Sequence, residues 1–213
     1  MEVVMKKTFS VSVGLFMLLM IPVISFGATK GPYMSALLGG TYLTESDLTD
    51  NGVKGKIEYT VGIASVLAGG YNFGMFRMEG EIGYQRNSMD KATVCDGGGC
   101  GGGSISGNTS ALSGLVNGYI DFVNSSPVTP YISGGIGVAY VKVDVDQRNG
   151  SGTDSFNDTI FAYQVGAGLA YAINQNLSLD LKYRYFATPE LDLEGSKATF
   201  GSHNVYFGLR YTF

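Results

Sequence analysis

Ser202-His203-Asn204-Val205-Tyr206-Phe207-Gly208-Leu209-Arg210-Tyr211-Thr212-Phe213 closes the chain. From Val205 onward every second residue is apolar or aromatic, and Asn204, Tyr206, Gly208, Arg210 and Thr212 fall between them. A period of two places the first set on one face of an extended strand and the second set on the other. Leu177, Leu179, Leu181, Tyr183 and Tyr185 alternate in the same way with Ser178, Asp180, Lys182 and Arg184. So do Phe161, Tyr163, Val165, Leu169, Tyr171 and Ile173 with Ala162, Gln164, Gly166, Gly168 and Ala170. A soluble sandwich would turn the oily face to a shared core, whereas a membrane barrel turns it to lipid. The polar faces are rich in Gly and Ala, an odd surface to show water but a suitable lining for a narrow barrel.

Working outward, the pattern predicts eight strands: Tyr33 to Leu43, Tyr59 to Phe73, Phe76 to Asn87, Ser110 to Val123, Pro130 to Val145, Thr159 to Ile173, Leu177 to Ala187 and Ser202 to Phe213. Each reaches about ten residues or more, the length a tilted strand needs to cross hydrocarbon. Connections at Gly74, Asn124 to Thr129 and Asn174 to Asn176 are short; those at Thr44 to Glu58, Ser88 to Thr109, Asp146 to Asp158 and Thr188 to Gly201 are long. Short turns on one rim and long loops on the other describe an all-β, antiparallel, up-and-down transmembrane barrel with periplasmic turns and termini. Gly and Ala occupy both phases of Gly62 to Gly70 and Gly134 to Ala139, which leaves the faces of the second and fifth strands unassigned.

At the other end, Lys6 and Lys7 precede an apolar run from Phe9 to Ile24 that closes on Ser25, Phe26, Gly27 and Ala28. This is the pattern of a secretory signal peptide, residues 1–27, with a retained helical anchor as the competing reading. The barrel domain is then 28–213. Loss of Glu2, Lys6 and Lys7 leaves 12 basic against 17 acidic residues, about −5, a balance that argues against nucleic acid as a partner. No second long apolar run follows, so helical spans are excluded.

The final stretch, together with Tyr183-Arg184-Tyr185-Phe186, Phe76-Arg77-Met78-Glu79-Gly80-Glu81-Ile82-Gly83-Tyr84 and Thr129-Pro130-Tyr131-Ile132-Ser133-Gly134-Gly135-Ile136-Gly137, resembles the opacity-type outer-membrane β-barrel family. That resemblance implies an eight-stranded barrel among adhesins and surface antigens and leaves the activity open. Gly208, Tyr211 and the terminal aromatic Phe213 look like the signal by which the outer-membrane assembly machinery captures a last strand, an extended edge being a natural handle for strand addition.

Glu79, Glu81, Asp121, Asp180, Lys182, Arg184 and Arg210 all fall on polar faces, which predicts a charged interior. Eight strands enclose a space that side chains can fill, so an interlocked plug is expected, with a narrow pore lined by the same residues as its rival. Turned to lipid, a basic residue near the midplane would cost roughly 2–4 kcal/mol. Cys95 and Cys100 bracket Asp96 and three glycines, the layout of a small loop disulfide in an oxidising compartment, with metal binding the weaker alternative for want of ligands. The lone His203 follows Ser202 and has no carboxylate at a triad-like spacing, so a rim residue bonded to backbone or Asn204 is expected over a lipid A hydrolase. Acidic residues crowd the long loops, where solvation explains them as well as cation bridges to lipopolysaccharide. The expected protein is a non-enzymatic surface barrel without cofactor or metal, displaying four loops to an unidentified ligand, with a small porin-like channel as the alternative.

Overall fold

The structure is a computed structural model, and it describes residues 29–44, 46–50, 53–96, 99–146, 153–189, 191–193, 196–198 and 200–213. The expected leader, residues 1–27, lies outside the described residues. In chain order the strands are β1 (Gly31–Leu43), β2 (Ser46–Asp50), β3 (Val53–Tyr59), β4 (Gly62–Asn72), β5 (Phe76–Asp96), β6 (Gly99–Asp121), β7 (Val128–Asp146), β8 (Thr153–Ala172), β9 (Leu177–Ala187), β10 (Leu191–Leu193), β11 (Ser196–Ala198) and β12 (Gly201–Thr212).

Eight of these close a barrel in the order β1-β4-β5-β6-β7-β8-β9-β12, every neighbour antiparallel, with β12 returning to β1. The seam runs from Tyr33 opposite Thr212 to Leu43 opposite Ser202, so the first and last strands cover each other's edges. At Gly208 the strands come so close that a Cβ would stand 2.2 Å from the Ala36 carbonyl oxygen.

The three short turns share one device. Asn72 Oδ1 accepts from Gly74 N at 2.8 Å, Asn124 Oδ1 from Ser126 N at 2.7 Å, and Asn174 Oδ1 from the amides of Asn176 and Leu177 at 2.9 and 2.8 Å. An Asn side chain that mimics the backbone two residues on is what permits so tight a reversal. Thr29 and Phe213 lie at this same rim, where Asn72 Nδ2 donates to the Thr29 carbonyl and Phe213 N to that of Pro32.

At the opposite rim the expected loops hold further strand. Within Ser88 to Thr109 β5 and β6 continue paired, from Asn87–Thr109 up to Asp96–Gly99, so β5 runs 21 residues and β6 23. That is about ten beyond what a membrane crossing needs. β7 and β8 likewise stay paired to Asp146–Thr153. Thr44 to Glu58 holds the β2–β3 hairpin, laid against the β5 extension, and Thr188 to Gly201 holds β10–β11. The predicted second strand is shorter than expected, since it separates into β3, ending at Tyr59, and β4, beginning at Gly62. In a Gly- and polar-rich stretch the strand state comes from the cross-strand partner, which local pattern does not reveal.

Faces follow the alternation. On β12, Phe207 is 59% exposed while Tyr206 and Asn204 are 1% and 0%. The two unassigned strands resolve as Ala64, Val66, Ala68 and Asn72 inward against Ile63, Leu67 and Tyr71 outward, and Tyr131, Ala139 and Val141 inward against Ile132, Ile136, Val138 and Tyr140 outward. Outward aromatics form two girdles: Tyr71, Phe73, Phe76, Phe122, Tyr171, Tyr211 and Phe213 near the short turns, Tyr42, Tyr84, Tyr140, Tyr163 and Tyr183 toward the hairpins. An apolar band between aromatic girdles is the lipid-facing surface of an outer-membrane barrel.

Candidate functional site

All seven ionisable side chains expected inside are buried, at 2–8% exposure: Glu79, Glu81, Asp121, Asp180, Lys182, Arg184 and Arg210. Arg77 joins them at 3%. It stands two residues before Glu79 and four before Glu81, the same face by period, so its signal was present in the sequence although the expected cluster omitted it. The described interior therefore carries four positive and four negative groups.

They pack in tiers. Nearest the short turns, Arg77 Nε and Nη2 donate to the two Asp121 oxygens at 2.7 and 2.9 Å, and Arg210 Nε faces Asp180 Oδ2 at 3.4 Å. The Arg77 guanidinium lies 4.2, 5.0 and 5.7 Å from the ring centroids of Tyr119, Tyr131 and Tyr33, so its faces meet aromatics while its edge meets the carboxylate. Gly168 makes room for this stack: a Cβ there would stand 2.5 Å from the Tyr131 ring and hydroxyl.

In the next tier two carboxylates one pleat apart share the donors. Glu79 accepts from the Tyr33 hydroxyl at 2.8 Å, from Tyr119 and from Asn117 Nδ2 at 3.3 Å. Glu81 accepts from Arg184 Nη1 at 2.6 Å, Asn117 Nδ2 at 2.8 Å, Gln164 Nε2 at 3.3 Å and Lys182 Nζ at 3.5 Å. Lys182 also donates to the Tyr119 hydroxyl at 2.8 Å, and Arg184 to Gln164 at 3.0 Å and to Tyr206. Above lies a neutral tier, with Gln85 and Asn204 on Ser202 and Asn87 on the Thr41 carbonyl. An apolar cluster of Ala111, Leu115, Ala139, Val141, Ala162 and Phe186 then packs against Phe200 toward the hairpins. The cavity lined by Arg77, Glu79, Asp180, Lys182 and Arg210 measures about 10 Å³, about one water molecule's requirement.

His203 belongs to a different surface. It faces outward at the upper girdle, its Nδ1 2.7 Å from the Tyr183 hydroxyl and its ring 5.0 Å from that of Tyr185. The partner is thus neither Asn204 nor backbone, as expected from sequence, because His203 and Asn204 point to opposite faces of β12. Ser202 is buried on the inner face, away from His203. Among the other predicted residues, Tyr211 and Phe213 pack edge to face at 5.2 Å on the outer surface of the short-turn rim. Cys95 on β5 and Cys100 on β6 stand directly opposite in backbone register. Above the upper girdle on β7, hydrogen bonds from Ser155 and Lys142 hold the Asp144 carboxyl below its ordinary range.

Residues 11–213 match the family model described as outer membrane protein beta-barrel domain. The outer membrane protein PagN of Salmonella typhimurium is 35% identical over 96 residues, 43% of this chain and 40% of that protein, so the match spans well under half of PagN. A putative adhesin of Rickettsia conorii is 28% identical over 204 residues, 84% of this chain and 81% of that protein. Among solved structures, Neisserial surface protein A superposes with a TM-score of 0.55 at 20% identity, covering 86% of this chain and 97% of its own, a likeness of fold.

Proposed function

Because this chain belongs to the outer membrane protein beta-barrel domain family, and is an integral outer-membrane protein, we propose that it is a sealed, non-enzymatic scaffold of the opacity type that holds four β-hairpins above the cell surface for adhesin-like contact. The observation that carries this reading is the interior: among the described residues four cations and four carboxylates are buried together, and the cavity that five of them line measures about 10 Å³. This packed, charge-balanced lining among the described residues supports a closed interior, and truncating Asp121, Glu81 or Asp180 would leave a buried cation without its carboxylate. The hairpins continue β5–β6 and β7–β8 past the girdle, so a rigid membrane anchor passes directly into the projecting surface.

On this reading the short-turn rim and both termini of the barrel face the periplasm, residues 1–27 are removed on export, and Gly208, Tyr211 and Phe213 present the last strand to the assembly machinery. Cys95 and Cys100 close a disulfide near the tip of the longest hairpin. The register supports that pairing, since directly opposed residues bring their Cα atoms within disulfide range. Lipid and lipopolysaccharide surround the barrel, and the hairpin ligand is a surface partner outside it.

Planar-bilayer recording on refolded protein tests the seal: silence is expected, and steady single-channel steps would establish the porin-like alternative. A membrane-impermeant maleimide applied to intact cells after reduction tests the display, with labelling of Cys95 and Cys100 expected and protection pointing to the opposite orientation. The His203→Ala variant should leave lipid A acylation unchanged; an altered acyl number would identify a hydrolase.

A further inference from the structure

The outer rim is not uniform around the barrel. On the β1, β12 and β9 side one cross-strand row reads Tyr42, His203, Tyr185. On the β5 to β8 side the row above the girdle reads Arg86, Ser110, Lys142, Asn157. All four are in outward phase, two residues past Tyr84, Leu112, Tyr140 and Thr159 respectively, and those four form the row immediately beneath. The next row down is Ile82, Gly114, Val138, Phe161. Polar, then largely aromatic and aliphatic, then wholly apolar rows descend toward the bilayer, so Arg86 and Lys142 stand where headgroups meet acyl chains.

Arg86 is exposed and makes no ion pair among the described residues. The Lys142 side chain is 42% exposed and meets Asp144 at 2.9 Å, which leaves two cations over one carboxylate. Strands lie about 4.8 Å apart, so Arg86 and Lys142 flank the Ser110 hydroxyl from roughly 10 Å apart, a span both long side chains can close upon a shared anion. Two rows beneath Ser110, past the exposed Leu112, Gly114 leaves the surface open, with nothing within 4 Å of where a Cβ would be. The notch runs between Ile82 and Val138, both exposed.

We propose that Arg86, Ser110 and Lys142 bind the phosphate monoester of an outer-leaflet lipid whose acyl chain lies in the notch at Gly114. A phosphate monoester brings a charge between −1 and −2 and three acceptor oxygens, which suits two cationic donors and a hydroxyl in one row. The apolar rows below select an anion carried on a lipid over one free in solution.

The test is native mass spectrometry of the protein in micelles doped with phosphatidic acid, or with diacylglycerol of identical chains. In micelles both rims are accessible, so the outcome does not depend on the orientation proposed above. Phosphatidic acid should be retained at about tenfold lower concentration than diacylglycerol, and Arg86→Gln/Lys142→Gln should abolish that preference. Folding of the variant is verified by its heat-dependent gel mobility. Lys30→Gln, at the opposite rim, should keep the full preference. An unchanged preference in the double variant, or equal retention of the two lipids by the native chain, would overturn the site. Displacement by inorganic phosphate at concentrations matching phosphatidic acid would overturn the lipid assignment.

Discussion

Replacing Asp121 by Ala removes both acceptors from a guanidinium that is 3% exposed and held at 2.7 and 2.9 Å. Arg77 is then left among Tyr33, Tyr119 and Tyr131, whose ring faces attract a cation but accept no in-plane hydrogen bond. Breaking a buried pair on one side costs about 3–5 kcal/mol, well above the roughly 0–1 kcal/mol of an exposed pair. With a urea dependence of about 1–3 kcal/mol per molar, the unfolding midpoint in lipid vesicles should fall by about 1–5 M. The chain has no Trp, so tyrosine fluorescence or circular dichroism reports the transition. The decisive comparison is Asp121→Ala with Arg77→Met/Asp121→Ala. The double variant leaves no orphan charge and fills the stack with an apolar side chain, so most of the lost stability should return. A single-variant loss under about 1 kcal/mol, or a double variant worse than the single, would refute the claim that this interior is held by paired charges.

Three further outcomes follow from particular contacts. Gly168→Ala should cost about 1–3 kcal/mol, since its Cβ would stand 2.5 Å from Tyr131, whereas Gly80→Ala, with nothing within 4 Å, should change stability by less than about 0.5 kcal/mol in the same vesicle titration. Leu181→Arg places a cation on the lipid face, where Leu181 is 48% exposed, and should destabilise by roughly 2–4 kcal/mol; a neutral result would mean this face meets water. Cys95 and Cys100, opposed in register, should both resist maleimide in periplasmically folded protein and both react after reduction, as read by mass shift.

Which side of β8, β9 and β12 meets lipid was legible from the sequence, because alternation with period two is a local property that closure does not alter. Fold class, strand number and the short-turn rim followed from the same rhythm, and the buried Glu81, Lys182 and Arg184 followed from their phase. Arg77 was legible in principle and missed. Elsewhere local information ran out. In Gly62 to Gly70 and Gly134 to Ala139 glycine or alanine falls in both phases, and only closure showed which one points inward. Ser88 to Thr109 reads as loop because its glycines and polar residues have no strand preference, yet its described residues are strand because β5 pairs there with β3 and with β6. Above all, the sequence determined that charges would face inward and not which would meet. Arg77 finds Asp121 44 residues away and Arg184 finds Glu81 103 residues away, because closure and strand stagger set which side chains share a level across the barrel. That stagger is a property of the whole sheet, and no single strand encodes it.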